Sequence, residues 1–314
     1  MLTSTGVEGA DGRTVRLWED GDGESEAVAL VHGSTFGFRA GFAPGGGRFW
    51  ADAIAEAGRA VVGVDVHGFG DGEWPPAMDA PPEDNPPVAR AAEAAADVEV
   101  AVEHARSRFE TVHLVGISWG TVVCGALFAG DSPPVDSLTL YAPVYELPGS
   151  EPADFDPGDP PAAHREVTRA GLRARWDGQV PDGNDPVAWR GGEGDDDPLF
   201  ETVWEAAYDT HQRVEGADEP TIRVPNGSLL DMRAGARGEP VYDPADVDVP
   251  TLVVRGSQDA TSAREDALAV YDGLGTERAE YLEIDGATHF LLVEPRRHAL
   301  YGAANGFYDR VGGR

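Results

Sequence analysis

Apolar residues in this chain gather in short unbroken runs, Ala27-Val-Ala-Leu-Val31, Ala60-Val-Val-Gly-Val-Asp65 and Val112-His-Leu-Val-Gly-Ile117, without the alternation of a half-exposed strand. Such runs mark strands buried on both faces of a sheet. Between them, residues 49–57, closed by Gly58, and 89–108 carry apolar positions at helical spacing. Residues 13–19 alternate as an edge strand, followed by an Asp-Gly-Asp-Gly turn at 20–23. Further strands are predicted at 137–141, 251–255 and 281–284, and further helices at 119–129, 263–271 and 291–308. Strands that alternate with helices call for right-handed crossovers, so the expected fold class is α/β with a doubly wound, mostly parallel sheet.

The alternation breaks once. About 110 residues separate Tyr141 from Thr251, far beyond the roughly 2–6 residues that join elements in compact α/β units. Helical patterns recur there at 162–175, 199–213 and 228–236, separated by Pro/Gly/Asp-rich joints such as 191–198. The expected organisation is a core of residues 1–143 and 241–314 with a helical cap, 144–240, inserted into it. The proline-rich stretch at 73–88 reads as a stiff extended loop, because each proline fixes its φ.

Charge narrows the partners. The chain holds 24 basic and 56 acidic residues, a net charge of −32, and every basic residue is arginine. That surface repels phosphate backbones and anionic lipid, so neither nucleic acid nor membrane is an expected partner. The acid is spread from end to end, and the absence of lysine beside abundant Ala, Gly, Asp and Arg resembles haloarchaeal proteins. Self-repulsion of this size is relieved by salt, which shortens the screening length to about 3 Å at 1 M. Cys124 is the single cysteine, so no internal disulfide can form. The first residues show neither a basic start nor a long apolar run, and no stretch reaches the roughly 20 apolar residues of a membrane helix. A cytoplasmic location is expected.

Candidate chemistry centres on Gly116-Ile-Ser118-Trp-Gly120, where a strand pattern runs directly into a helix pattern. Glycines flanking the serine let neighbouring backbone approach a sharp turn, and the helix that follows aims its first amides and positive dipole end at the hydroxyl. A serine hydroxyl needs a base, and the base needs an orienting carboxylate. His289 follows the last predicted strand and Asp259 the one before it, so both fall at the same sheet edge as Ser118. Asp259 also reads as a helix cap for the segment after Thr261, and Glu146 and Asp65 are spare carboxylates near other strand ends. Glu265 and Asp266 are poorer candidates because they lie inside a predicted helix. His32 reads as a support of its loop, and His67, His104, His113 and His211 have no metal-ligand spacing. No metal or cofactor is expected.

With His-Gly at 32–33, Asp-x-His-Gly-x-Gly at 65–70, the serine turn, Gly-x-x-Asp at 256–259 and Gly-x-x-His-Phe at 286–290, the chain resembles the α/β-hydrolase superfamily over nearly its whole length. The order Ser118, Asp259, His289 is the superfamily's own. His67 stands where many members have arginine. The resemblance implies that the amides of Ser34 and Trp119 form an oxyanion hole, each contributing roughly 2.7–4 kcal/mol to the transition state. It implies hydrolysis of a carboxylic ester through an acyl-serine intermediate, on a small-molecule substrate, with homo-oligomerisation left open. Serine as nucleophile argues against dehalogenase and epoxide hydrolase chemistry. Ser-Trp-Gly together with a helical cap also resembles proline iminopeptidases. Acyl transfer and a ligand-binding role on the same scaffold are the remaining alternatives. Trp176, Trp189, Phe200, Trp204 and Tyr208 either line an apolar acyl site or form the core of the cap; their spacing does not decide.

Overall fold

The computed structural model describes residues 1–21, 25–130 and 132–313. The chain opens with an antiparallel hairpin, β1 (Thr3–Glu8) and β2 (Thr14–Asp20). It continues through β3 (Glu26–Val31), the short helix α1 (Phe38–Phe42), α2 (Trp50–Glu56) and β4 (Ala60–Asp65). Then come α3 (Ala91–Arg106), β5 (Thr111–Ile117), α4 (Trp119–Phe128) and β6 (Ser137–Tyr141). The chain next leaves the sheet for β7 (His164–Thr168), α5 (Arg169–Asp177), α6 (Pro186–Trp189), α7 (Pro198–Thr210), β8 (Thr221–Pro225) and α8 (Gly227–Gly235). It returns with β9 (Thr251–Gly256), α9 (Arg264–Gly273), β10 (Ala279–Ile284) and α10 (Arg297–Gly312).

Eight strands form one sheet in the order β1-β2-β4-β3-β5-β6-β9-β10, parallel except at the β1–β2 and β2–β4 pairs. All residues of β3, β4, β6 and β9 are buried, as expected of strands covered on both faces of the sheet. Helices flank this sheet: α3 packs on α4, and α2 on α10. From β3 the chain first steps outward to β4, then crosses back to place β5 on the other side of β3. Open α/β sheets leave a crevice at such a reversal, beyond the carboxyl ends of the two strands. The loops after β3 and β5 carry His32-Gly33-Ser34 and Ser118 into that crevice.

Several elements differ from the sequence expectation. β2 is not the sheet edge, because β1 pairs along it; Thr3–Glu8 is mostly small and polar, with Val7 its one large apolar residue, and so carries no core signal. Part of the 20–23 turn lies outside the described residues. The helix expected at 162–175 begins only at Arg169. Thr168 caps it by accepting from the Gly171 amide at 2.9 Å, and 164–168 instead pair antiparallel with β8. The closing helix starts at Arg297 rather than 291, after turns that run through Pro295. The proline-rich loop contains two single 3-10 turns, Pro76–Met78 and Pro82–Asp84, and is pinned by Arg223, which donates to the Met78 carbonyl at 2.8 Å. Among the described residues, no helix is long and apolar enough to cross a membrane.

Candidate active site

Between β5 and α4 the backbone turns at Ser118 with φ 52° and ψ −123°, a left-handed conformation that a residue with a side chain rarely adopts. Its neighbours have no room for a side chain. A Cβ on Gly116 would lie 2.5 Å from the Gly120 carbonyl oxygen and 2.9 Å from Cys124 Sγ, and one on Gly120 would lie 2.5 Å from the His32 oxygen. This packing presses the elbow against β3. The Ser118 amide donates to the Tyr141 carbonyl at 2.9 Å, tying the turn to β6 as well. Cys124 is fully buried behind the elbow, and burial pushes its thiol pKa far up, which makes it a packed side chain rather than a nucleophile.

His289 Nε2 stands 3.0 Å from Ser118 Oγ, and its Nδ1 stands 2.8 Å from Asp259 Oδ2. A carboxylate only accepts, so Nδ1 carries the proton and Nε2 is left with a lone pair toward the serine hydroxyl. Asp259 is fixed through its other oxygen, which accepts from the Thr261 and Ser262 amides at 2.8 Å each. It caps this turn and not α9, which begins at Arg264. Arg255 closes the same loop, donating to the carbonyls of Ser262 and Asp259 at 2.9 Å and pairing with Glu283. The His289 carbonyl accepts from Tyr141 Oη at 2.8 Å. Buried Glu294 accepts from Thr288 Oγ1 at 2.8 Å and from Trp176 Nε1 at 2.9 Å, while Trp176 stacks on Phe290 with ring centroids 4.7 Å apart.

Among the described residues, neither the Ser34 nor the Trp119 amide has a protein acceptor. His32 fixes the first of them. Its Nδ1 donates to the Gly33 carbonyl at 2.8 Å while Nε2 accepts from the Val66 amide at 3.1 Å, so the ring is a neutral tautomer. Because a trans peptide is planar, holding the Gly33 carbonyl sets the direction of the Ser34 N–H. Burial lowers the His32 pKa to about 4, which keeps it uncharged at neutral pH. The Ser34 carbonyl in turn accepts from Arg165 at 2.6 Å. The Trp119 indole donates to buried Asp231 at 3.0 Å, and Asp231 also accepts from the Ala91 amide at 2.8 Å, joining α4 to α3 and α8.

Ser118 and His289 open into a cavity with about 590 Å³ of empty space, counting its mouth. Phe36, Ile117, Leu172, Val203, Phe290 and Leu292 supply apolar wall, and Arg175 is the one charged residue among the described lining. None of Trp176, Trp189, Phe200, Trp204 and Tyr208 lines it. Trp176 and Phe200 are fully buried under Arg190 and Arg173, whose guanidinium carbons lie 5.2 and 4.2 Å from the ring centroids, and Trp204 stacks on Tyr208. Leu172, Arg175 and Val203 are the inserted segment's contribution, and sequence reasoning passed over all three. The available signal was helical phase: Leu172 and Arg175 lie four and one residues before Trp176.

The remaining candidates have structural employment. Asp65 accepts from Trp18 Nε1 at 2.7 Å, the Phe38 amide at 2.6 Å and the Asp71 amide at 3.1 Å, and burial raises its pKa. Asp266 receives the amides of Tyr145, Glu146 and Leu147, while Glu146 itself is exposed. His67 donates to Asp97 at 2.6 Å. His211 accepts from the Gly70 amide at 3.3 Å. No group of three or more His, Cys, Asp or Glu able to hold a metal occurs among the described residues.

A family model described as the alpha/beta hydrolase fold matches residues 40–295. No curated protein matches the sequence. Among solved structures, a serine hydrolase involved in carbazole degradation (CarC enzyme) superposes with a TM-score of 0.62 at 19% identity, over 98% of this chain and 99% of that one. A hydrolase from Pseudomonas aeruginosa PA01 gives 0.66 at 18% identity, with 98% of each chain covered. A thermophilic esterase from Thermogutta terrifontis gives 0.65 at 18% identity, covering 98% of this chain and 99% of that one.

Proposed function

This chain belongs to the α/β-hydrolase family, and on that premise we propose that it is a serine hydrolase cleaving a carboxylic ester through an acyl-Ser118 intermediate. The observation that carries the reading is the unbroken relay from Ser118 Oγ to His289 at 3.0 Å and from His289 to Asp259 at 2.8 Å, at the floor of a largely apolar cavity. His289 Nε2 takes the hydroxyl proton as Ser118 attacks the ester carbonyl, and the imidazolium returns it to the leaving alcohol oxygen as the C–O bond breaks. Water then repeats the sequence on the acyl-enzyme. Asp259 holds the tautomer throughout and stabilises the transient imidazolium. The Ser34 and Trp119 amides are assigned to the oxyanion. Residues 144–240 are assigned as a cap over a core of 1–143 and 241–314, because Leu172, Arg175 and Val203 reach the cavity from that segment.

The aminopeptidase alternative is disfavoured by the lining. Capture of a substrate ammonium needs a carboxylate, none occurs among the described lining residues, and Arg175 would repel the cation. The test is turnover of p-nitrophenyl acetate through octanoate beside prolyl-p-nitroanilide, in multimolar KCl. Ester cleavage is expected, falling about 10⁴-fold or more in Ser118→Ala. Ester cleavage that survives in Ser118→Ala near the wild-type rate would overturn the assignment, and release from the prolyl amide would move it to aminopeptidase.

A further inference from the structure

We propose that Arg175, with Arg165 behind it, forms an anion-recognition site in the wall of the catalytic cavity, and that the ester this chain cleaves carries a carboxylate. The inference rests on the reading of Ser118 as the acyl-forming nucleophile. Arg175 keeps surface open to solvent yet is closely surrounded by protein, and it lines two spaces at once: the Ser118 cavity and an adjoining crevice that also holds Thr35, Arg165, Glu166 and Thr168. Thr35, Leu172 and Arg175 are shared between the two. The guanidinium therefore stands where a substrate with its carbonyl at Ser118 would extend toward the insertion.

Its charge is unmatched. Among the described residues, Arg175 makes one hydrogen bond, to the neutral Thr35 hydroxyl at 3.2 Å, and no carboxylate lies within ion-pair distance. Scarcity of acid is not the reason, since the chain carries 56 acidic residues against 24 basic ones. On the same helix, Arg169 and Arg173 both pair with Glu201, and Arg173 reaches Asp197 as well. Arg165 has only neutral acceptors too: the Pro225 carbonyl at 2.6 Å, Asn226 Oδ1 at 3.3 Å and the Ser34 carbonyl at 2.6 Å. Burial, then the neighbouring charge of Arg175, lowers the Arg165 pKa to about 9, so Arg165 remains a cation at neutral pH; burial lowers Arg175 as well, with the charge of Asp259 opposing that shift. Asp259 is the carboxylate whose charge reaches Arg175, and it is committed to His289 and to two backbone amides.

Arg175 faces the Ser118 cavity without a paired carboxylate, and Glu166, the acid of the adjoining crevice, forms no ion pair with Arg175 or Arg165 among the described residues, so an anion supplied from outside stabilises the two guanidinium groups. The planar fork of arginine matches the two oxygens of a carboxylate, and Leu172 and Val203 give the linking carbons an apolar wall. Recognition here acts at contact range. The net charge of −32 repels anions at a distance, and concentrated salt screens that repulsion while affecting a partly enclosed pair less.

The test compares kcat/KM for mono-p-nitrophenyl glutarate with that for p-nitrophenyl 5-methylhexanoate, whose isopropyl end has the shape of the carboxylate without its charge. It is run at the lowest KCl concentration that keeps the protein folded, because chloride competes for the same guanidinium. Wild type is expected to prefer the glutarate by about 10-fold or more. In Arg175→Gln the glutarate-to-neutral ratio is expected to fall by about 10- to 100-fold, chiefly through KM, with partial return in Arg175→Lys. Equal turnover of the two esters by wild type, or an unchanged ratio in Arg175→Gln, would overturn the proposal. If neither ester is cleaved, calorimetric titration of monomethyl glutarate into Ser118→Ala decides. Binding that is lost in Ser118→Ala/Arg175→Gln keeps the anion site and sets aside the esterase reading. Absence of binding in both proteins overturns the site itself.

Discussion

Two buried histidines make the fold sensitive to mild acid. Burial holds His32 and His211 near pKa 4, against an ordinary value of 6.5. The unfolded chain therefore takes up protons on these rings as pH falls below 6.5, while the folded chain does not until about 4. Stability is full above the upper value, declines through the interval, and levels off below it, by on the order of 3 kcal/mol for each ring. Asp65, Asp231 and Asp266, raised by burial, act in the opposite sense above the ordinary 3.8. The check is the urea midpoint at fixed salt: it is expected to fall from pH 7 to pH 5, and His211→Gln is expected to flatten that decline. A midpoint that rises toward pH 5 would show that the carboxyls dominate. At this scale the sequence was legible where chemistry and spacing coincide. Gly116 and Gly120 are recognisable because only glycine fits beneath the serine, whereas Arg255 and Tyr141, which fix the Asp259 and His289 loops, carry no local motif.

Elements buried on two faces announced themselves, and the paired strands of the insertion did not. Strands β3, β4, β5 and β9 stand where their apolar runs put them, but β7 and β8 depend on each other, and His164-Arg-Glu-Val-Thr168 has neither strand alternation nor a core run. The insertion's aromatics could not be assigned in advance because helix phase fixes which side chains share a face, not what that face meets. In the structure, Trp176 braces the His289 loop by donating to Glu294 and stacking on Phe290. Trp176→Phe keeps an aromatic ring there and deletes the donor to a buried carboxylate. It should cost about 1–3 kcal/mol in denaturant unfolding and lower kcat through a looser His289, whereas half-buried Trp189→Phe should stay within about 0.5 kcal/mol. Equal effects of the two substitutions would mean that the brace contributes nothing specific.

For the molecule as a whole, 24 arginines can neutralise at most 24 of 56 acids, which leaves a net charge of −32, most of it on the surface. Pairs such as Arg59–Glu26 and Arg190–Asp197 are buried and little affected by salt, so the repulsion is the term that ionic strength changes. Lowering KCl from about 1 M to 0.1 M lengthens the screening distance from roughly 3 to 10 Å, enough to connect neighbouring carboxylates. The thermal midpoint is expected to fall steeply over that range and to recover with NaCl but not with sucrose. Full stability in dilute buffer would refute the halophilic reading.

The lone thiol turns this architecture into its own clock. Cys124 is the chain's single thiol and sits fully buried, 2.9 Å from where a Gly116 Cβ would be. Iodoacetamide can reach it only when α4 lifts away from β5. The labelling rate therefore counts openings of the elbow, and following it across salt concentrations separates breathing at the serine turn from unfolding of the chain as a whole.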